Sequence, residues 1–230
     1  MEKIIDVLIP AFNEEATIGR VVAAIPKNWV RQVIVVDNAS NDQTARIASE
    51  SGAIVVFQPK KGYGNACLKG IEFLKNEAVP PEIVVFLDAD FADDPTELPL
   101  VVAPILEGKA EMVIGSRSLK KMEKGAMTFP QKFGNWLAPA LIRLFWGVRF
   151  TDLGPFRAIV FERLLALKME DKNFGWTVEM QVKAAKMQLK STEIAVSYRK
   201  RGGGKSKVSG TIRGTVLASY KILWTIFKSL

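Results

Sequence analysis

Over the first 115 residues, short apolar runs alternate with amphipathic segments at near-regular spacing, and that alternation restricts the fold more than any other feature. The runs are Ile4–Ile9, Gln32–Val36, Ile54–Phe57, Ile83–Leu87 and Met112–Ile114. Helical patterns fill the gaps at Glu14–Ile25, Thr44–Ser51, Gly64–Asn76 and Thr96–Leu106. A short continuous apolar run reads as a strand covered on both faces, and parallel strands need helical crossovers to connect them. The expectation is an α/β chain: a mostly parallel, doubly wound sheet flanked by helices, in a single domain. Asn13, followed by Glu14 and Glu15, reads as a helix cap with acids in the first turn.

On an open sheet of this kind ligands gather at the carboxyl ends of the strands. Polar and acidic residues stand at three such ends here. Run one leads into Pro10-Ala11-Phe12-Asn13-Glu14, run two into Asp37-Asn38, and run four into Asp88-Ala89-Asp90. Two carboxylates one residue apart at a sheet edge suit a hard divalent cation, which takes one or two carboxylates together with phosphate oxygens. They also suit a plain acidic turn, just as Asp37 suits an Asx turn. Lys60-Lys61-Gly62-Tyr63-Gly64-Asn65 precedes the third helical pattern, and its glycines read as letting backbone approach a phosphate at a helix start. It fits neither Gly-x-Gly-x-x-Gly nor a P-loop.

The chain has 230 residues, 48% of them hydrophobic, and a net charge of +8. It contains no histidine, which removes imidazole base catalysis and His-ligated zinc. The single cysteine, Cys67, excludes an internal disulfide and suggests a reducing compartment. No signal peptide precedes the first run and no uncharged apolar stretch is long enough to span a bilayer. The positive charge calls for an anionic partner.

After Gly115 the regularity breaks. Residues 116–130 read as a polar loop, Phe129–Val148 as an aromatic-rich segment, Trp176–Met187 as a helix, Glu193–Tyr198 as a strand, and 211–230 as a C-terminal amphipathic helix. The division expected within one domain is 1–115 for a nucleotide-type half and 116–210 for an acceptor-type half, followed by 211–230 as the terminal helix.

Taken in order, Pro-Ala-Phe-Asn-Glu-Glu, Val-Asp-Asn-Ala-Ser-Asn-Asp, Lys-Gly-Tyr-Gly-Asn-Ala, Asp-Ala-Asp and Val-Ile-Gly-Ser-Arg resemble the family 2 glycosyltransferases of GT-A fold. Asp152-Leu153-Gly154-Pro155-Phe156-Arg157 and Arg201-Gly202-Gly203-Gly204-Lys205-Ser206-Lys207 extend the likeness to the dolichyl- or polyprenyl-phosphate mannose and glucose synthases. The resemblance covers roughly residues 4–210. It implies that Pro10, Phe12, Glu14 and Asp37 surround the nucleoside of a UDP- or GDP-sugar. It makes Asp88 and Asp90 the ligands of Mg²⁺ or Mn²⁺, with Ala89 beside the donor, and it sets Arg117, Arg201 and Lys207 on the phosphates. Phe12 stands where a tyrosine is usual, Asn38 replaces a second acid, Ala92 stands where relatives have a polar residue, and Gly154-Pro155 replaces Ser-Gly.

The reaction implied is inverting transfer of a hexose, with Asp90 and Arg117 acting on the departing diphosphate. A polyprenyl-phosphate acceptor is already ionised and needs no base; a sugar hydroxyl would need a carboxylate, for which Asp152 is the candidate. Arg117, Arg143, Arg149 and Arg157 are placed around the acceptor. Segments 136–146 and 216–227 combine apolar side chains with cations, as interfacial helices do, and equally as core or homo-oligomer contacts do. The expected location is the cytoplasmic face of a membrane, held peripherally. Two rivals fit less well: a nucleotidyltransferase would carry a basic Gly-rich loop after run one, and an RNA-binding module would interleave basic and aromatic residues on one face. No nucleic-acid partner is expected.

Overall fold

The computed structural model describes residues 4–120, 122, 123, 125–127, 129–203 and 221–229. Seven strands form one sheet in the order β3-β2-β1-β4-β6-β5-β7. They are β1 (Ile5–Ala11), β2 (Gln32–Asp37), β3 (Ile54–Phe57), β4 (Ile83–Phe86), β5 (Met112–Ser116), β6 (Arg157–Val160) and β7 (Ser191–Ala195). All neighbours pair in parallel except β6, which runs antiparallel between β4 and β5. The helices are α1 (Ile18–Ala24), α2 (Thr44–Glu50), α3 (Tyr63–Lys75), α4 (Leu98–Leu106), α5 (Phe129–Trp146), α6 (Phe161–Ala166) and α7 (Trp176–Lys186). Residues 221–228 are also helical.

The period-2 alternation of a strand divides each apolar run between two cores. Leu8, Ile34, Val84 and Phe86 face a layer holding α3, α5 and α7. Val7, Ile9, Val33, Val35, Ile83 and Val85 face the layer of α1 and α4. Both faces of β1, β2, β4 and β5 are therefore in use, every residue of β1 and β4 is buried, and the edge strand β3 leaves Ile54 and Phe57 exposed. The one charge inside β1, Asp6, is fully buried and forks onto the Arg31 guanidinium, with Gln32 Nε2 also donating to it at 3.0 Å. It braces the sheet at the edge away from the strands' carboxyl ends.

Several boundaries differ from expectation. Helix α1 starts at Ile18, because Asn13 sits at φ 52° and residues 15–17 form a turn. Asn13 is no cap: its Oδ1 accepts the Asn41 N–H at 2.8 Å, tying the β1 loop to the β2 loop. Strand β7 ends at Ala195, and Tyr198 instead makes an isolated antiparallel bridge to Asp93. Strand β6 and helix α6 were not foreseen. Lys207 and most of 211–230 lie outside the described residues.

Candidate donor-binding site

The first strand's exit, Pro10 to Glu14, and the fourth strand's exit, Asp88 to Asp90, form opposite walls of a pocket of about 360 Å³ at the carboxyl ends of β1, β2 and β4. Asn38, the 61–66 segment, Asn173, Phe174 and Arg201 complete it. Adjacent β1, β2 and β4 bring these loops together because their carboxyl ends share one edge.

Two carboxylates converge there. Asp88 Oδ1 accepts the Tyr63 hydroxyl at 3.0 Å. Burial, with Asp90's charge added to it, pushes the Asp88 carboxyl up to about 7. Asp90 Oδ1 accepts the Ala92 N–H at 3.0 Å, which leaves Oδ2 toward the pocket. Arg201 fills that position: one guanidinium nitrogen lies 2.7 Å from Asp90 Oδ2 and the other 2.6 Å from Glu14 Oε1. Gly202 N–H donates to the Asp90 carbonyl at 2.9 Å, and Arg199 pairs with Asp94, so Arg199, Arg201 and Gly202 are laced to the loop after β4.

Among the described residues no group of three or more His, Cys, Asp or Glu could cage a metal. Two carboxylates suit Mg²⁺ or Mn²⁺ nonetheless, since such ions fill the remaining positions with water and substrate phosphate. The donor set therefore fits an ion that arrives with a diphosphate.

Asn38 explains one departure from the family pattern. Its Nδ2 donates to the carbonyls of Gln58 (3.1 Å) and Lys60 (2.7 Å), while its Oδ1 accepts the Gly62 N–H at 2.7 Å. An ionised aspartate would set a second oxygen against those two carbonyls. Phe12 carries the Lys61 ammonium 4.7 Å above its ring, a cation–π contact that needs no hydroxyl.

The glycines of the 60–65 segment act differently from expectation. A Cβ on Gly64 would lie 1.9 Å from the Asp171 carbonyl oxygen, and one on Gly62, at φ 139°, 2.2 Å from that of Lys172. The Gly64 and Asn65 N–H groups donate to Asn173 and Lys172 carbonyls at 3.2 and 3.0 Å. The start of α3 is closed by protein backbone, so the glycines admit the 171–174 loop rather than a phosphate.

Of the residues singled out from sequence, Pro10, Phe12, Glu14, Asp88, Ala89, Asp90 and Arg201 line this one pocket. Asp37 stands next to it, buried, with Oδ1 accepting the Ser40 N–H at 3.3 Å. Arg117 and Asp152 lie apart from the lining and hold each other. Arg117 Nε and one terminal nitrogen reach the two Asp152 oxygens at 2.9 and 2.6 Å, and the Arg117 N–H donates to Oδ2 at 2.6 Å. Both groups are buried, and the Arg117 guanidinium stacks 4.8 Å from the Tyr198 ring. Arg157 is not an acceptor-groove cation: it is 1% exposed and spends its donors on the carbonyls of Leu153, Gly154 and Thr177. Arg143 and Arg149 are exposed.

Sequence reading missed Asn173 and Phe174, which carry no periodic or motif signal and reach the pocket only through the Gly62–Gly64 packing. It also gave no role to Asp93. That carboxyl is buried, neither oxygen has a hydrogen-bond partner among the described residues, and burial pushes it well above the usual carboxylate range.

The acid pair stands at the carboxyl end of the central strand, where open α/β sheets bind their ligands, and comparison with known proteins gives the class of enzyme. The sequence model of glycosyl transferase family 2 matches residues 6–167, and the chain belongs to that family. A glycosyltransferase of Mycobacterium bovis is 36% identical over 221 residues, covering 93% of this chain and 94% of that protein. The undecaprenyl-phosphate mannosyltransferase of Micrococcus luteus is 28% identical over 226 residues, 92% and 90% of the two chains. Among solved structures, glucosyl-3-phosphoglycerate synthase from Mycobacterium tuberculosis, in complex with Mn²⁺, UDP-glucose and phosphoglyceric acid, superposes with a TM-score of 0.76. It shares 23% identity over 99% of this chain and 79% of its own, a likeness of fold.

Proposed function

We propose that this glycosyltransferase moves a hexose, with inversion, from a UDP- or GDP-sugar to a polyprenyl phosphate at a membrane surface. The donor lies in the pocket between Pro10–Glu14 and Asp88–Asp90, its nucleoside near Phe12, Asp37 and Asn38. Asp88 and Asp90 hold a Mg²⁺ or Mn²⁺ ion, whose chemistry is to neutralise charge on the departing diphosphate. Arg201 exchanges Glu14 and Asp90 for phosphate oxygens, to which its planar fork is suited. The sugar C1–oxygen bond to the diphosphate breaks as an acceptor oxygen bonds to C1 from the opposite face, and the nucleoside diphosphate leaves with the electron pair.

One observation supports the lipid phosphate over a hydroxyl. Asp152, the candidate base, has both oxygens committed to Arg117, so it acts as the brace of that arginine. A phosphate acceptor, ionised at neutral pH, needs no base. Relatives that act on polyprenyl phosphates support the same reading. No helix among the described residues is long and apolar enough to cross a membrane, so contact with the lipid is peripheral in this reading. It uses the exposed Trp136 and Leu144 of α5, with Arg143 between them.

The test is transfer of radiolabelled sugar from UDP- and GDP-hexoses in the presence of polyprenyl phosphate. Label in an organic-extractable, mild-acid-labile product is expected. Label confined to water-soluble glycans would overturn the lipid acceptor.

A further inference from the structure

A second cavity, of about 510 Å³, opens on the other side of the 171–174 loop from the donor pocket, between residues 167–171, α7 and the helical segment 221–228. Five lysines line it: Lys168, Lys183, Lys186, Lys221 and Lys228. Three acids line it too, and two of them are occupied by backbone. Glu179 accepts the N–H groups of Glu170 and Asp171 at 2.9 and 2.8 Å as well as the Lys183 ammonium at 2.7 Å. Asp171 accepts those of Asn173 and Gly175 at 2.7 and 3.1 Å as well as Lys221 at 3.0 Å. The third, Glu170, is exposed.

The remaining cations are unmatched. Lys186 donates to the neutral carbonyl of Ser229, and among the described residues Lys168, Lys186 and Lys228 make no ion pair with a carboxylate. The cavity is thus a concave surface with surplus positive charge, and the chemistry it fits is an anion.

Its outer lip is aromatic. Trp224 lines the cavity and is 51% exposed; one turn on, Phe227 is 53% exposed and meets Phe145 with ring centroids 6.2 Å apart. That contact joins the lip to α5, whose Leu144 and Trp136 are 73% and 65% exposed. Amphipathic aromatics beside lysines are the composition that enters the headgroup layer of an anionic bilayer.

We propose that this cavity is a binding site for the anionic headgroup of a membrane phospholipid, distinct from the donor pocket and from the acceptor. Trp224, Phe227 and the α5 aromatics enter the interface, and Lys168, Lys186 and Lys228 close on the headgroup phosphate. The inference rests on the membrane contact in the proposed function and adds to it a preference for anionic lipid.

Vesicle flotation tests it without donor or polyprenyl phosphate, using phosphatidylcholine vesicles with and without phosphatidylglycerol. The intact protein is expected on the phosphatidylglycerol vesicles. The double variant Lys168→Glu/Lys228→Glu is expected to bind them about tenfold or more weakly, given the favourable contribution of each lysine near an anionic surface. Both lysines are exposed, so the fold is expected to hold. A charge-matched control, Lys27→Glu/Lys109→Glu, follows α1 and α4 on the opposite face of the sheet and is expected to bind as the parent does. Equal loss in both variants, or equal binding to both kinds of vesicle, would overturn the headgroup site while leaving peripheral attachment standing. Absence of all vesicle binding would overturn both. Loss of vesicle binding in the presence of millimolar inorganic phosphate at constant ionic strength would reassign the cavity to soluble phosphate. Sugar transfer to detergent-solubilised polyprenyl phosphate, measured in parallel, reports separately on the proposed reaction.

Discussion

Replacing Asp152 with alanine strands the Arg117 guanidinium in a buried site, and the size of the effect can be worked from the geometry. Two charge-assisted hydrogen bonds at 2.6 and 2.9 Å disappear, together with the acceptor of the Arg117 N–H. Asp152 is fully buried and Arg117 8% exposed, so water cannot replace the lost partner. Removing one member of a buried pair costs about 3–5 kcal/mol, because the surviving charge stays desolvated. That is a large part of the ~5–15 kcal/mol by which a domain is stable. With a urea m-value of about 3 kcal/mol/M, the midpoint falls by about 1–1.7 M. Removing both charges in Asp152→Ala/Arg117→Met leaves no unpaired charge, only the backbone N–H of residue 117 without its acceptor, so the double variant is expected to be more stable than the sum of the single effects, by up to about 3 kcal/mol. Urea unfolding of the four proteins, followed by tryptophan fluorescence, reads the cycle. Additive costs, or a loss below about 1 kcal/mol for Asp152→Ala, would refute the assignment of Asp152 as a brace and return it to the candidates for a base.

Two further outcomes follow from the pocket walls. In Gly64→Ala the new methyl meets the Asp171 carbonyl at 1.9 Å, a backbone atom that cannot rotate away, so the 171–174 wall must retreat; a stability loss of about 1–3 kcal/mol is expected, with weakened nucleotide binding by titration calorimetry, and an unchanged affinity would show that this wall does not touch the donor. Tryptic cleavage after Arg201 is expected to slow when nucleotide sugar and Mn²⁺ are present, because the guanidinium is then held by phosphate oxygens and the bound donor covers the stretch; an unchanged rate would remove Arg201 from the donor site.

The central sheet was legible because strands buried on both faces leave nearly uninterrupted apolar runs, and β1, β2, β4 and β5, like the more exposed edge strand β3, begin and end within two residues of those runs. The acid pair was legible for the same reason: Asp88 and Asp90 interrupt a run at its end. Strand β6 was hidden because Arg157-Ala158-Ile159-Val160 opens on a charge and passes straight into α6 without a turn residue. Only the structure shows that this arginine's donors are taken up by carbonyls three and four residues earlier and by that of Thr177. The same limit applies to Asn173 and Phe174, which join the pocket through a tertiary contact between glycines and a distant loop. Asn13 misled in the other direction, since a residue suited to capping a helix also tolerates the left-handed region and can tie two loops instead.

The most direct test of the donor site is calorimetric titration of UDP- and GDP-sugars into the protein and into Asp90→Asn, each with Mn²⁺ and with excess EDTA. The parent is expected to bind one nucleotide sugar in Mn²⁺ and to lose most of that affinity in EDTA. Asp90→Asn is expected to melt as the parent does and to bind weakly in both buffers. Equal affinity in Asp90→Asn and the parent, undiminished by EDTA, would contradict the placing of donor and cation between Asp88 and Asp90.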